Sequence, residues 1–169
     1  MSAAYHELAE RIRGEVLDMD RIVQRIELAW EQAQRWPDEQ AYLDSVALNL
    51  HGFYSGQERL FDLIARQVDG VSPGGGTWHR DLLNQMAEDV ADRRPAVIGR
   101  DTAQHLDEFR RFRHLVRNVY TLNLVPHRMA GLVAVLPDLW PRERAELLAF
   151  AAFLDALAGA SQPASAHGR

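Results

Sequence analysis

The sequence predicts an all-α protein, an up-and-down bundle of about five to six helices. Three observations carry that expectation. Apolar residues recur at three- and four-residue spacing over long stretches, no stretch alternates as a half-buried strand does, and the breaks are short and rich in Pro, Gly and Asp. The chain has 169 residues, enough for one ordinary domain and a sizeable core. A single helical domain is expected over 1–160, with a small, polar, flexible tail over 161–169.

The first periodic stretch runs from about Ala3 to Trp36, with Leu8, Ile12, Met19, Ile22, Ile26 and Trp30 on one face. Pro37-Asp38 ends it and opens the second, from about Asp38 to Val68, striped by Leu43, Val46, Leu50, Phe53, Phe61, Ile64 and Val68. Gly52 and Gly56 weaken this helix by about 1 kcal/mol each against alanine, and leave room for another helix to approach. Asp69 to Thr77 (DGVSPGGGT) is the clearest loop. Thr77 is placed to cap a third helix over about Trp78 to Val90. Asp92 to Pro95 makes a further break. A fourth helix opens at Asp101 or Thr102 and reaches about Leu124, where Pro126 ends it. Met129 to Leu136 suits a short fifth helix. Pro141 suits the first turn of a last one, over about Arg142 to Ala158.

Composition excludes several chemistries. There is no cysteine, so disulfides, thiolate nucleophiles and zinc–thiolate sites are ruled out. All 19 basic residues are arginine, which removes the lysine of a phosphate-binding loop and any Schiff-base lysine. Gly74-Gly75-Gly76 therefore reads as a connection. No Glu-x-x-His pair suggests a di-iron bundle, so no metal or other cofactor is expected. The N-terminus lacks an apolar signal core, and the greasiest stretch, Leu147 to Ala160, is too short to span a bilayer. A cytoplasmic protein without a membrane partner is the expectation. The net charge of -5 argues against a general polyanion binder.

The fourth helix concentrates what chemistry there is. Projected at about 100° per residue, Phe109, Phe112, Leu115, Val116, Val119 and Leu122 share one side. Arg110, Arg113, His114, Arg117, Asn118 and Thr121 share the other, with Tyr120 at the border. Arg111 adds a fourth arginine, and no acid lies between Arg110 and Arg117; Asp107 and Glu108 stand one turn earlier. The pattern alone favours a solvated charged face with ion pairs. The sharper reading is a phosphate site, because planar guanidinium forks in register on a rigid helix suit bidentate contacts.

The run RFRHLVRNVY, together with SVALNLHGFYSGQERLFDLIA and WHRDLLNQM upstream, resembles the HepT-like branch of the HEPN proteins. The resemblance covers about Ala41 to Leu124, three blocks in the same order. It implies a helical bundle that forms a homodimer, with motif helices meeting in a cleft. It further implies a metal-independent endoribonuclease toxin whose partner is a minimal nucleotidyltransferase antitoxin. The family motif is arginine, four residues, histidine, one residue, tyrosine. Arg113 stands at the arginine position and Tyr120 at the tyrosine position, but Asn118 replaces the histidine.

In the family reading the histidine acts on the ribose 2′-hydroxyl and the arginine steadies the phosphate. Asparagine cannot transfer the proton; it can only orient or donate a hydrogen bond. His114, one turn earlier on the same side, is the candidate replacement. Arg110 and Arg117 would position the RNA backbone, and Tyr120 is the candidate acceptor of adenylate from the antitoxin. Asn118 equally suits a catalytically silent partner subunit of a nucleotidyltransferase. A plain helical dimer binding acidic partners is the third reading. His79, at the start of the third helix, reads as a structural group, either capping a helix or lining the cleft. His51, Tyr54 and Arg59 suit either the core edge or a dimer seam. The four tryptophans read as packing groups.

Overall fold

The computed structural model describes residues 2–118 and 126–160, and of residues 2 and 115–118 only the backbone. Among the described residues five α-helices follow one another: α1 (Ser2–Arg35), α2 (Gln40–Ile64), α3 (Trp78–Met86), α4 (Arg100–Asn118) and α5 (Pro126–Ala160). A π-helical turn, Ala65–Asp69, extends α2 before Gly70 closes it at φ 76°. Among the described residues there is no strand, only an isolated bridge between Val90 and Arg94. The all-helical expectation holds.

The periodic stripes become the core. Leu8, Ile12, Val16, Met19, Val23 and Ile26 of α1 are buried against α2 and α5. Antiparallel register between α1 and α5 is fixed by two polar ties. Arg13 Nη2 donates to Asp155 Oδ2 at 2.6 Å, and Trp140 Nε1 donates to Asp20 Oδ1 at 2.8 Å. At the centre, Phe53 of α2 meets Phe109 of α4 at 5.3 Å and Trp140 of α5 at 5.8 Å, the latter edge-on. That aromatic joint orients α4, and with it the arginine face.

Two expectations about helix ends are corrected. Pro126 does not merely stop the fourth helix; it opens α5. The two short helices expected after it are one helix of 35 residues, with Pro137 and Pro141 inside. Each proline removes a backbone hydrogen bond, yet both are exposed and lie on one side of the helix. On the other side Leu136, Leu139 and Trp140 continue the buried stripe without interruption. Trp140 and Arg144 both bond Asp20 of α1, which pins the segment that carries the prolines. Packing outweighs local propensity here.

The third helix is also shorter than expected, ending at Met86 rather than near Val90. Beyond it the chain turns through Asp92 at φ 60° and returns Arg94 to the interior. The Arg94 side chain is fully buried. It donates to both Asp69 carboxylate oxygens, at 2.6 and 2.7 Å, and to the carbonyls of Glu88, Pro95 and Gln85. Burial would raise the Asp69 carboxyl, but bonds from Arg94 and Gln85 outweigh it and hold the group below the usual carboxylate range. This knot ties the end of α2 to the α3–α4 connection. Gly56 allows Met19 of α1 close, since a Cβ there would overlap the methionine's terminal methyl. Gly52 faces open space, so only one of the two glycines serves a close approach.

Candidate functional site

The basic helix α4 crosses α2 and the start of α3, and three of its cationic groups find acids or hydroxyls there or one turn back. Asp107 takes Arg110 Nε at 2.7 Å and Arg111 Nε at 2.9 Å. Those ion pairs offset the crowding of like charge that the sequence raises. The Arg111 guanidinium is exposed, so its pair contributes at most about 1 kcal/mol.

Arg113 is held differently. Its side chain is 16% exposed, its Nε donates to Ser55 Oγ at 3.0 Å, and its Nη2 lies 3.4 Å from Glu58 Oε1. The Glu58 side chain is itself only 6% exposed. Its second oxygen, Oε2, lies 2.7 Å from His79 Nδ1. One buried carboxylate on α2 therefore holds the motif arginine of α4 and a histidine of α3. The His79 ring is stacked on Trp78, with centroids 3.7 Å apart and planes 30° from parallel. Tyr54, one turn before Glu58, is buried beneath them; its phenol is pushed up by burial and then by the Glu58 carboxylate.

Above this cluster is an open concavity of about 630 Å³. Trp78, His79 and Arg80 of α3 line one side and Arg110, Arg111 and His114 of α4 the other, with the glycine loop at its edge. The structure thus brings together Arg110 and His114 of the expected site, with Arg113 behind them through Glu58. Tyr120 lies outside the described residues, as do the side chains of Arg117 and Asn118, the expected reach of the helix to Leu124, and the tail 161–169. Thr77 is at the N-terminus of α3 as expected, but its hydroxyl donates to the Asp81 carboxylate rather than capping a backbone N–H. No group of three or more His, Asp or Glu suited to a metal ion occurs among the described residues.

Sequence reasoning missed Ser55 and Glu58. A signal for Glu58 was present. Tyr54, Glu58 and Phe61 are spaced four and three apart, so the acid stands on an inward stripe and needs buried partners.

The described residues thus form a helical array in which the basic helix α4 lies across a buried carboxylate of α2. A family profile described as HepT-like protein matches residues 45–154. The chain belongs to the HepT-like proteins. Neither curated proteins nor solved structures give a match. No helix among the described residues is long and apolar enough to cross a membrane.

Proposed function

We propose that this chain is the toxin of a toxin–antitoxin pair, a metal-independent endoribonuclease paired with a minimal nucleotidyltransferase antitoxin. The observation that carries the reading is Arg113. It stands at the motif arginine position, is anchored by Ser55 and Glu58, and sits beside a concavity lined by Arg80, Arg110, Arg111 and His114. Guanidinium groups held this way bind a phosphodiester with little loss of side-chain freedom.

In this reading two copies meet through α4. Arg113 steadies the scissile phosphate, Arg110 and Arg117 position the backbone, and His114 moves a proton. Asn118 orients the substrate, and Tyr120 is the acceptor for adenylate. The 2′-oxygen attacks phosphorus, the bond to the 5′-oxygen breaks, and a 2′,3′-cyclic phosphate forms. Local basic charge draws RNA in despite the net charge of -5.

The test is cleavage of a defined RNA in EDTA by a dimer of unmodified mass. Wild type yields a cyclic phosphate, and Arg113→Ala loses at least 100-fold. An Arg113→Ala protein that stays folded and fully active removes Arg113 from the mechanism. A second reading has one observation in its favour: Asn118 at the histidine position. It makes the chain a silent partner subunit of the nucleotidyltransferase. Tight binding of that enzyme by a chain that neither cleaves RNA nor arrests growth would establish it.

A further inference from the structure

The motif lacks its imidazole, and the structure carries one on another helix. We propose that His79 is the general base of the RNA-cleaving site and that Glu58 is its positioning residue; this rests on the ribonuclease reading above. Glu58 Oε2 lies 2.7 Å from His79 Nδ1. A carboxylate can only accept, so Nδ1 carries the proton and Nε2 of the neutral ring is left with its lone pair. That is the tautomer a general base requires, and orienting it through the opposite nitrogen is how a carboxylate serves a catalytic histidine. The Trp78 ring, 3.7 Å away, fixes the imidazole plane.

Position supports the same role. His79 lines the concavity opposite His114 and Arg110, so a phosphodiester between α3 and α4 has an imidazole on each side. Glu58 also engages Arg113, so one rigid carboxylate sets the base and the phosphate ligand relative to each other. Among the described residues, the charged groups near His79 are Glu58 from α2, Arg80 and Asp81 from α3, and Arg110, Arg111 and Arg113 from α4, with His114 facing it.

The step balances without a cofactor. His79 Nε2 takes the 2′-hydroxyl proton as O2′ bonds to phosphorus. The phosphorus–O5′ bond breaks, and protonated His114 gives its proton to O5′. Exchange with water resets both rings.

The experiment measures single-turnover cleavage of a short RNA in EDTA across pH 5 to 9. It compares wild type, His79→Ala, His79→Asn, Glu58→Gln and His114→Ala, each checked for helicity. Asparagine at 79 can still donate to Glu58 but cannot move a proton, so it separates structure from chemistry. The expected result is a loss of at least 100-fold in both His79 variants. Added imidazole restores part of the His79→Ala rate, and the acid limb of the pH profile disappears. Glu58→Gln loses about tenfold and shifts that limb. Cleavage by His79→Asn within threefold of wild type overturns the proposal and leaves the ribonuclease reading standing. The same holds for a His79→Ala loss that imidazole does not rescue. Silence from unmodified wild type brings down both.

Discussion

Glu143 offers a stability test worked from its surroundings. The side chain sits inside α5, fully buried, with Gln57 Nε2 donating to its Oε2 at 2.9 Å. Glu143 Oε1 and Gln57 Oε1 are both buried without a protein partner. Two acceptors facing burial without a donor are costly, and a proton on the carboxyl supplies one. Burial, only partly offset by the Gln57 bond, pushes the Glu143 carboxyl up to about 8, with Glu146 adding to the rise. The sign follows from proton binding. Below pH 4.5, the group's ordinary value, both folded and unfolded chains hold the proton and nothing is lost. Between there and about pH 8 only the folded chain holds it, so stability falls as pH rises, then levels off. The slope is about 1.4 kcal/mol per pH unit, so roughly 3 kcal/mol disappears between pH 5 and pH 7. Against a total of about 5–15 kcal/mol for an ordinary domain, that is a large share. Glu143→Gln keeps the shape and stays neutral across the pH range. Urea denaturation followed by circular dichroism at pH 5, 6, 7 and 8 compares the two proteins. Glu143→Gln is expected to gain on wild type by about 1.4 kcal/mol per unit from pH 5 to 7. A gap that stays constant within about 0.5 kcal/mol over that range refutes the argument.

Three further perturbations have definite signs. Gly52→Ala meets open space and gains helix propensity, so it stabilises by about 0.5–1 kcal/mol; Gly56→Ala must displace Met19 and shows no such gain, which thermal melts of the two variants compare directly. Arg94→Met leaves Asp69 without its main partner and costs about 3–5 kcal/mol in urea unfolding, most of which Arg94→Met with Asp69→Leu recovers. Phe53→Ala empties the joint between Phe109 and Trp140, and a loss of about 3–5 kcal/mol is expected by the same assay, with a smaller loss for Phe53→Leu.

The helices were legible because their signal is local. Leu8, Ile12 and Ile26 announce their face by spacing alone, and each is buried where that spacing puts it. α5 was not legible as one element. Pro137 and Pro141 are strong local stops, and nothing in the chain near them indicates that Asp20, more than a hundred residues away, bonds the intervening tryptophan. The shortened α3 has the same origin. Arg94 is drawn inward by Asp69, and the chain must leave its helix early to deliver it.

The site divides along the same line. Arg110, Arg113 and His114 stand out because one helix carries them in a row, and a motif read along the chain finds them. Glu58 and His79 are on two other helices and acquire meaning only when α2, α3 and α4 meet. The physical consequence goes beyond legibility. A carboxylate with 6% of its side chain exposed cannot be left uncompensated, so its cationic partner and its histidine partner are required by the fold as well as by chemistry. That arrangement is made of bonds among Ser55, Glu58, His79 and Arg113. A chain that lost the motif imidazole would thus still hold an oriented imidazole across the concavity from His114, together with an anchored Arg113. This is why the asparagine by itself is weak evidence for a silent protein, and why the decisive substitution lies at His79 on α3.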